Sequence, residues 1–351
     1  MLTATDARGV VTSYAYNGFG DMTGLTSPDR GTWIFTFDAQ GRHATTTDPR
    51  GVVVSTSFDA LSRPIVRTFS AANVATSAVG FEPGNVVQTF VYDVCPNGRS
   101  RLCQITDASG TTAYTYNPWG EVVGKAWTGK AGGPANGITL SSGYGYETAT
   151  GRLASITFPS GKTQVLTYGN DGQPLSLAYA GQGVVANVAW TATCQVAGWH
   201  WPQATGWSGI HSSVSFTYDL DGRPTQIADL DQRTLAWDVG DRLVGVDDPA
   251  DASRSQLYGY DSLDRLTSAD IGAWNGPVAF TYDAGGNRTS VSDSQGDGSW
   301  QYAYGLTSNR LVSQSSIVGG NTTASFASAY DAMGNLVSDG IGLQLSYDAT
   351  G

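Results

Sequence analysis

The sequence has little charge, and its charged residues are of unusual types. Asp, Glu, Lys and Arg make up 14% of the 351 positions, against about a quarter in an average soluble domain. Glu and Lys, which favour helices, occur three times each, whereas Asp, which favours turns, occurs 27 times. This composition argues against a helical protein, and short alternating runs such as "SVSFTYD" predict half-buried strands. We therefore predict an all-β fold.

Further absences exclude several classes of function. The net charge of −11 leaves no basic cluster for nucleic acid, and no apolar run reaches the roughly 18 residues of a membrane span. The N-terminus lacks the basic and apolar regions of a signal peptide. No phosphate-binding loop, nucleophile elbow or zinc motif occurs. We expect no enzymatic activity, cofactor, bound metal, nucleic-acid partner or membrane span.

Cysteine is scarce, with three residues in the chain. Cys95 and Cys103 enclose "PNGRSRL", whose central turn residues would let the two thiols face each other across a hairpin. They form either a disulfide or a pair of buried thiols, since cytosolic proteins keep such pairs reduced. Cys194 has no obvious partner.

A short motif repeats along the chain. An aromatic residue followed by Asp occurs nine times, about three times as often as this composition gives by chance. The residue five positions after the aromatic is Arg or Asn in all eight copies that contain that position. Copies without the Asp begin at Tyr16, Tyr116, Tyr146, Tyr168 and Tyr304. About fourteen units therefore cover residues 1–351, and the well-spaced ones lie 21 to 23 residues apart, which is typical of a repeat architecture.

Each residue of the motif has a structural role. The aromatic ends a strand, Asp accepts hydrogen bonds from backbone N–H groups of a turn, and Gly takes the left-handed conformation that the turn needs. We interpret the Arg or Asn as a repeated bonding position. The clearest signature residues are Tyr218, Asp219, Gly222, Arg223, Tyr260, Asp261, Arg265, Tyr282, Asp283, Gly286, Asn287, Tyr330, Asp331, Gly334 and Asn335.

A second turn signal follows about ten residues after the first. It appears as "DARG", "PDRG", "DPRG", "DASG" and "PSG" at residues 6, 28, 48, 107 and 159. Two turns per unit give two strands per unit, so tandem β-hairpins should form a twisted antiparallel strip.

The patterns "YDLDGRP", "YDAGGNR" and "YDAMGNL" resemble the YD repeat of bacterial Rhs proteins, wall-associated contact-toxin proteins and the C component of Tc toxins, with teneurins as animal relatives. The resemblance covers the whole chain. It implies a strip that spirals into a partial hollow shell around a C-terminal polymorphic toxin, with secretion or cell-surface location, used in bacterial competition or host attack. The implied partners are the toxin domain, a plug region, and secretion-system or Tc-type proteins. Both ends fall within repeats, so we expect an internal section without plug or toxin.

Residues 184–213 break the repeat rhythm with a Trp-rich insert. One interpretation is a degenerate repeat plus a loop whose indoles pack on the sheet. The other is an aromatic contact surface formed by Trp199, Trp201 and Trp207 for glycans or a protein partner. The second interpretation supports an alternative function, an extracellular carbohydrate- or cell-surface-binding repeat module.

Overall fold

The computed structural model describes residues 2–71, 85–202, 213–229, 231–271, 276–293 and 298–350. These ranges contain thirty β-strands, no α-helix, and one 3-10 helix at Ala252–Arg254. The predicted all-β fold is therefore confirmed. Within the same ranges, the structure has no helix with the length and hydropathy of a membrane span.

The strands are short and follow one another closely. In chain order they are β1 Leu2–Thr5, β2 Val11–Tyr16, β3 Met22–Ser27, β4 Gly31–Phe37, β5 His43–Thr47, β6 Val53–Phe58, β7 Pro64–Ser70, β8 Val86–Tyr92, β9 Leu102–Thr106, β10 Gly110–Tyr116, β11 Val122–Gly129, β12 Thr139–Tyr146, β13 Leu153–Thr157, β14 Thr163–Tyr168, β15 Pro174–Tyr179, β16 Gln182–Trp190, β17 Val196–His200, β18 Ser213–Tyr218, β19 Pro224–Ala228, β20 Gln232–Trp237, β21 Leu243–Asp247, β22 Gln256–Tyr260, β23 Leu266–Asp270, β24 Val278–Tyr282, β25 Arg288–Asp293, β26 Ser299–Tyr304, β27 Leu311–Val318, β28 Asn321–Ala327, β29 Ala329–Tyr330 and β30 Leu336–Ser338.

The chain divides into two compact units. The first unit comprises Met1–Val91, Ile105–Ala108 and Asn275–Gly351, so it contains both ends of the sequence. The second unit comprises Tyr92–Gln104 and Ser109–Trp274.

Strands that are neighbours in the chain pair antiparallel, as β3 with β4 and β18 with β19. Twenty-eight of the thirty described strands belong to one hydrogen-bonded sheet, and β29 and β30 form a separate pair. The predicted antiparallel strip of tandem hairpins is therefore confirmed.

The two faces of the strip differ in chemistry. In β18, the half-buried residues Val214, Phe216 and Tyr218 alternate with exposed Ser and Thr. Hydroxyl pairs link neighbouring strands on the exposed face, for example Thr36 with Thr45, whose oxygens are 2.6 Å apart. Strands with this alternation present an apolar face and a hydroxyl-rich face.

Two kinds of turn alternate along the chain and lie on opposite edges of the strip. The turns that follow the repeated aromatic, such as the one between β18 and β19, are called signature turns below. The turns that join one unit to the next, such as those between β1 and β2 or β5 and β6, are called linking turns. The strand register shifts by one residue at the aromatic of the signature hairpins, and such a bulge bends the strand into the turn.

Candidate functional site

The signature turn is a closed hydrogen-bonded unit around its Asp. In the turn after Tyr218, Asp219 Oδ1 accepts from the backbone N–H groups of Asp221 and Arg223 at 3.0 and 2.9 Å. The Asp219 N–H donates to the carbonyl of Arg223 at 3.0 Å. Arg223 Nε then donates to Asp219 Oδ2 at 2.7 Å. The same pattern, with the Arg five positions after each aromatic, occurs at Asp38, Asp59, Asp238 and Asp261.

These contacts stabilise the charged form of the Asp. The backbone N–H and side chain of Arg223 lower the pKa of Asp219, against the opposing effect of desolvation. At Asp238 the largest cause of the lowered pKa is the side chain of Arg242. A carboxylate held ionised by its own turn is suited to a structural role and poorly suited to acid–base catalysis.

In most signature turns, the next-to-last residue has a positive φ. Gly222, Gly286 and Gly334 have φ of 81°, 86° and 87°. In the turns after Trp237 and Tyr260 the same place is taken by Asp241 and Asp264, with φ of 62° and 61°. Asp tolerates this region better than most residues.

The arginine also bonds forward to the next unit. Arg223 Nη1 donates to the carbonyl of Asp238 at 3.3 Å, and Arg242 Nη1 donates to that of Asp261 at 3.1 Å. The Arg242 guanidinium lies 5.3 Å from the ring centroid of Tyr260, within range of a cation–π interaction. Each of these arginines therefore links two successive turns.

The aromatic bonds backward to the preceding unit. Tyr218 donates its hydroxyl to the carbonyl of Val196 at 2.7 Å, and Tyr260 donates to that of Leu243 at 2.8 Å. Where the aromatic is Trp237, the indole N–H donates to the carbonyl of Pro224 at 2.7 Å. In units that have both, the arginine bonds to the next unit and the aromatic bonds to the preceding one.

Fourteen signature turns lie wholly within the described residues, besides the one that begins at Asp348. We call the last residue of each turn, whose carbonyl accepts from the turn's first N–H, the closing residue. The closing residues are Asp21, Arg42, Arg63, Arg101, Glu121, Arg152, Gln173, Gln195, Arg223, Arg242, Arg265, Asn287, Arg310 and Asn335. Asn287 and Asn335 donate from Nδ2 to the Asp of their own turns, Asp283 and Asp331, at 2.9 and 3.0 Å.

The two predicted cysteines lie together in an enlarged signature turn. Cys95 and Cys103 form a disulfide. The extra residues of this turn displace the closing position, because Asp93 N–H donates to the carbonyl of Arg101. Asn97, five positions after the aromatic, does not close this turn, but its Nδ2 donates to the carbonyl of Tyr116 in the next hairpin at 2.9 Å. The exposed Cys194 is a free thiol.

The described part of the Trp-rich insert contains a hairpin of β16 and β17, whose register shifts between Ala186 and Ala189 as well as at Trp190. Trp190 donates its indole N–H to the carbonyl of Pro174 at 3.0 Å, as Trp237 does in its own unit. Thr191 replaces Asp in the turn that follows. The insert also brings aromatic rings together, because the ring centroid of Trp199 lies 5.3 Å from that of Phe216 and 5.7 Å from that of Trp201. Trp207 lies outside the described residues.

The first unit contains a second set of contacts that the sequence did not reveal. Linking turns at residues 6–10, 27–31 and 48–52 lie against signature turns at 283–287, 305–310, 331–335 and 348–350. We call this contact the seam. Arg8 Nε lies 3.0 Å from Asp283 Oδ2, and Arg50 Nη1 donates to the carbonyl of Asp348 at 3.0 Å. Asn309 donates its side-chain N–H to Asp6 Oδ2 at 2.7 Å.

Backbones approach closely in the seam. A Cβ on Gly31 would lie 2.6 Å from the carbonyl oxygen of Ala332, and one on Gly334 would lie 2.2 Å from that of Asp29. Both glycines also have positive φ. Glycine is therefore required there for space as well as for conformation.

The seam is the most buried part of the described structure. The described residues include ten buried residues other than glycine, and six of them lie in the seam: Val10, Ser27, Asp48, Val52, Asp331 and Ala349. Val52 is fully buried, whereas most residues of the strands are half-buried or exposed. The one sequence signal for this contact was the shared Arg-Gly of "DARG", "PDRG" and "DPRG", which distinguishes the seam's linking turns from "DASG" and "PSG".

Within the described ranges, no group of three or more His, Cys, Asp or Glu side chains is arranged to hold a metal ion. The polar clusters of the signature turns and the seam consist of paired turn residues. The arrangement can position strand edges against each other.

Comparison with known proteins agrees with this geometry. The RHS repeat family matches residues 1–32 and 260–297. No curated protein matches the chain. The crystal structure of TcdB2–TccC3 aligns with 99% of the chain at a TM-score of 0.77 and 16% identity, and the chain covers 20% of that structure. The Tc holotoxin pore of Photorhabdus luminescens aligns with 99% at a TM-score of 0.75 and 16% identity, again with 20% of its length covered.

A TcdB2–TccC3 structure without its hypervariable C-terminal region aligns with 96% of the chain at a TM-score of 0.73 and 16% identity, with 19% of that structure covered. The chain thus spans about one fifth of the length of the solved structures that it matches. The likeness to these structures is one of fold. Both ranges matched by the family model contain signature turns of the kind described above. The family match and the shared fold support the resemblance to the RHS/YD-repeat family that the sequence motif indicated.

Proposed function

We propose that the chain is a non-catalytic section of wall in an RHS-repeat β-shell, which encloses and helps deliver a C-terminal polymorphic toxin in bacterial competition or host attack. The seam is the observation that carries this proposal. Its hydrogen bonds join turns 280 to 303 residues apart through side chains and backbone groups. A shell wall built from successive windings of one strip needs contacts of this kind between the edges of neighbouring windings.

The chemistry of the strip suits the same role. One face carries half-buried aromatic and aliphatic side chains, and the other carries paired hydroxyls. An unfolded toxin exposes apolar groups, so we propose that the apolar face is turned toward the enclosed polypeptide. The proposed partners are the toxin domain, a plug region and Tc-type or secretion-system proteins, and the proposed location is the cell surface or the exterior.

Protease protection tests the proposal. The full reading frame that contains this chain is expressed, and the purified product is digested with proteinase K. We expect the C-terminal region to survive at protease concentrations that destroy the same region expressed alone. Equal digestion of the two would contradict a shell that encloses it. A variant with Gly334→Val, which opens the seam, should lose the protection.

One observation favours glycan binding as a second candidate function. An open depression of about 400 Å³ is lined by Trp119, Glu121, Tyr144 and Glu147. Trp119 is 75% exposed, and an exposed indole beside carboxylates suits stacking and hydrogen bonding to a sugar ring. A glycan array with the parent chain and Trp119→Ala tests this candidate. Binding by the parent that the variant loses would support it, and no binding by the parent would exclude it.

A further inference from the structure

Two of the closing residues differ in kind from the arginines that close most Asp-containing turns. Asn287 and Asn335 are the asparagines at this position among the described turns, and both turns lie in the seam. Asn287 donates to Asp283 of its own turn and to Asn309 Oδ1 in the next unit, the latter at 3.1 Å, but it does not reach the carbonyl of the residue that begins the next turn. The forward contact that arginine makes elsewhere must therefore come from another residue, or be missing.

At the first of these turns, Arg8 makes that contact from the opposite edge of the strip. Its Nε lies 3.0 Å from Asp283 Oδ2. Its Nη2 donates to the carbonyl of Gly305, the first residue of the next signature turn, at 2.9 Å. Its guanidinium carbon lies 5.9 Å from the ring centroid of Tyr304, the next aromatic.

Arg42 makes the same three contacts within its own strip. Its Nε donates to Asp38 Oδ2 at 2.7 Å, and its Nη1 lies 3.4 Å from the carbonyl of Asp59, the first residue of the next turn. Its guanidinium lies 4.7 Å from the ring of Phe58, the next aromatic. Arg8, from a linking turn, thus occupies the place of the arginine that the turn of Asn287 lacks.

The second asparagine turn follows the same pattern in part. Arg50, at the third position of its linking turn as Arg8 is, donates from Nη1 to the carbonyl of Asp348 at 3.0 Å. Asp348 is the first residue of the signature turn that follows Asn335. Arg50 is almost fully buried, with 4% of its side chain exposed, and it keeps the Asp48 of its own turn as an ion-pair partner at 2.7 Å.

The signature turn at residues 305–310, which lies between the two asparagine turns, is closed by an arginine instead. Its closing residue is Arg310, which makes its own forward contact to the carbonyl of Asp331 at 3.4 Å and lies 5.7 Å from the ring of Tyr330. The linking turn opposite, residues 27–31, carries an acid, Asp29, at its third position. Asp29 accepts from the backbone N–H of Asn309, and its carbonyl accepts from Arg310 Nη2 at 2.7 Å.

We infer that the closing residue of a signature turn determines which linking turn packs against it, and we call this relationship the docking code. A closing asparagine leaves the place of the guanidinium open for an arginine from a linking turn. A closing arginine fills that place itself and pairs with a linking turn that carries an acid. The seam follows the code in full at Asn287 with Arg8, and Arg310 pairs with the turn of Asp29. At Asn335, Arg50 makes the forward contact but keeps Asp48 as its ion-pair partner. This code concerns how two edges recognise each other, and it holds whatever the wall encloses.

A double-mutant cycle tests the code. The full chain is compared with Arg8→Ala, Asn287→Arg and the double variant by thermal unfolding, and by hydrogen exchange of β1 and β2. Arg8→Ala should lower the unfolding midpoint and speed exchange in β1 and β2 by roughly tenfold or more. Asn287→Arg alone should also speed that exchange, because the new arginine displaces Arg8 from Asp283.

The double variant separates the code from an ordinary ion pair. We expect it to recover at least half of the midpoint lost by Arg8→Ala, since the introduced arginine pairs with Asp283 and restores the turn within its own strip, while exchange in β1 and β2 stays fast. Gln173→Arg in the Arg8→Ala background is the matched control and should recover nothing. Additive losses, or unchanged exchange of β1 and β2 in Asn287→Arg, would overturn the inference.

A second double-mutant cycle, at Asp29 and Arg310, tests the code independently in case a variant of the first cycle does not fold. In a Gly305→Asp background, which supplies the carboxylate that this turn lacks, Asp29→Arg and Arg310→Asn should each lower the unfolding midpoint. The combined variant, which then recreates the Asn-with-Arg step, should lie closer to that background than either single change. A combined loss equal to or larger than the sum would contradict the code.

Discussion

Arg223 donates to the side chain of Asp219 in its own turn and to the backbone carbonyl of Asp238 in the next. We predict that Arg223→Ala lowers the thermal unfolding midpoint by a few degrees, because the change removes a bond within a unit and one between units. Arg99→Ala, at an exposed arginine, is the control and should leave the midpoint unchanged. Equal midpoints for Arg223→Ala and the parent would reject the prediction.

The lowered pKa values of the turn carboxylates predict acid sensitivity. The folded pKa of Asp219, Asp238 and Asp261 lies below the ordinary value of 3.8. These groups therefore stabilise the fold above about pH 4 and lose that contribution as pH falls through the folded pKa. Unfolding followed by circular dichroism from pH 7 to pH 2 should show a steep loss below about pH 4. The combined variant Asp219→Asn, Asp238→Asn, Asp261→Asn should be less stable at pH 7 and show a shallower slope.

The backward bond of the aromatic can be removed almost without changing shape. Tyr260→Phe deletes the hydroxyl that donates to the carbonyl of Leu243 and should lower the free energy of unfolding by about 1 kcal/mol. Tyr114→Phe is a matched control, since the structure shows no hydrogen bond from that hydroxyl to any described residue. Denaturant unfolding measures both, and a loss at Tyr114 as large as at Tyr260 would argue against the bond.

Reduction of the disulfide should loosen the enlarged signature turn. Cys95 and Cys103 are eight positions apart, and closing a loop of this size stabilises a protein by roughly 2–3 kcal/mol through the unfolded chain. Dithiothreitol, or Cys95→Ser with Cys103→Ser, should lower the free energy of unfolding by about this amount. The exposed Cys194 provides the control, because Cys194→Ser should have no effect on the same measurement.

Truncating a side chain in the seam should cost more than truncating one in a strand. Val52 is fully buried, with 0% of its surface exposed, so Val52→Ala should lower the free energy of unfolding by about 2 kcal/mol. Val165, on strand β14 with 42% exposure, should lose well under about 1 kcal/mol when changed to Ala. Similar losses at both sites would show that the seam is not the packed centre of the first unit.

The strands and signature turns could be predicted because their determinants are local. Alternation of apolar and polar residues indicates the strands, and the Asp, Gly and Arg of each turn lie within about six positions of one another. Local sequence also explains the two places where the structure of a signature turn differs from the repeat pattern. Extra residues around the disulfide move the closing position from Asn97 to Arg101, and Thr191 in place of Asp conceals the signature turn that follows Trp190.

The seam could not be predicted, because its partners are about 280 to 300 positions apart. The repeat pattern along the strip does not indicate which linking turn contacts which signature turn. Arg8 and Asp29 occupy the same position of similar turns, and their different contacts, with Asp283 and with Arg310, follow only from the turns that lie opposite them. The fold class was thus accessible from the sequence, and the contact between edges was not.

The pairing of each strand with its chain neighbours has a consequence for synthesis. A hairpin such as β2 with β3 needs only residues 11 to 27, so it can form soon after it leaves the ribosome, at little cost in loop-closure entropy. The linking turns at residues 6–10 and 27–31 must then wait until some 280 further residues have been translated before their partners exist. At about 5–20 residues per second, that interval lasts tens of seconds, during which the nascent strip carries an uncovered edge that a chaperone or a neighbouring chain can reach.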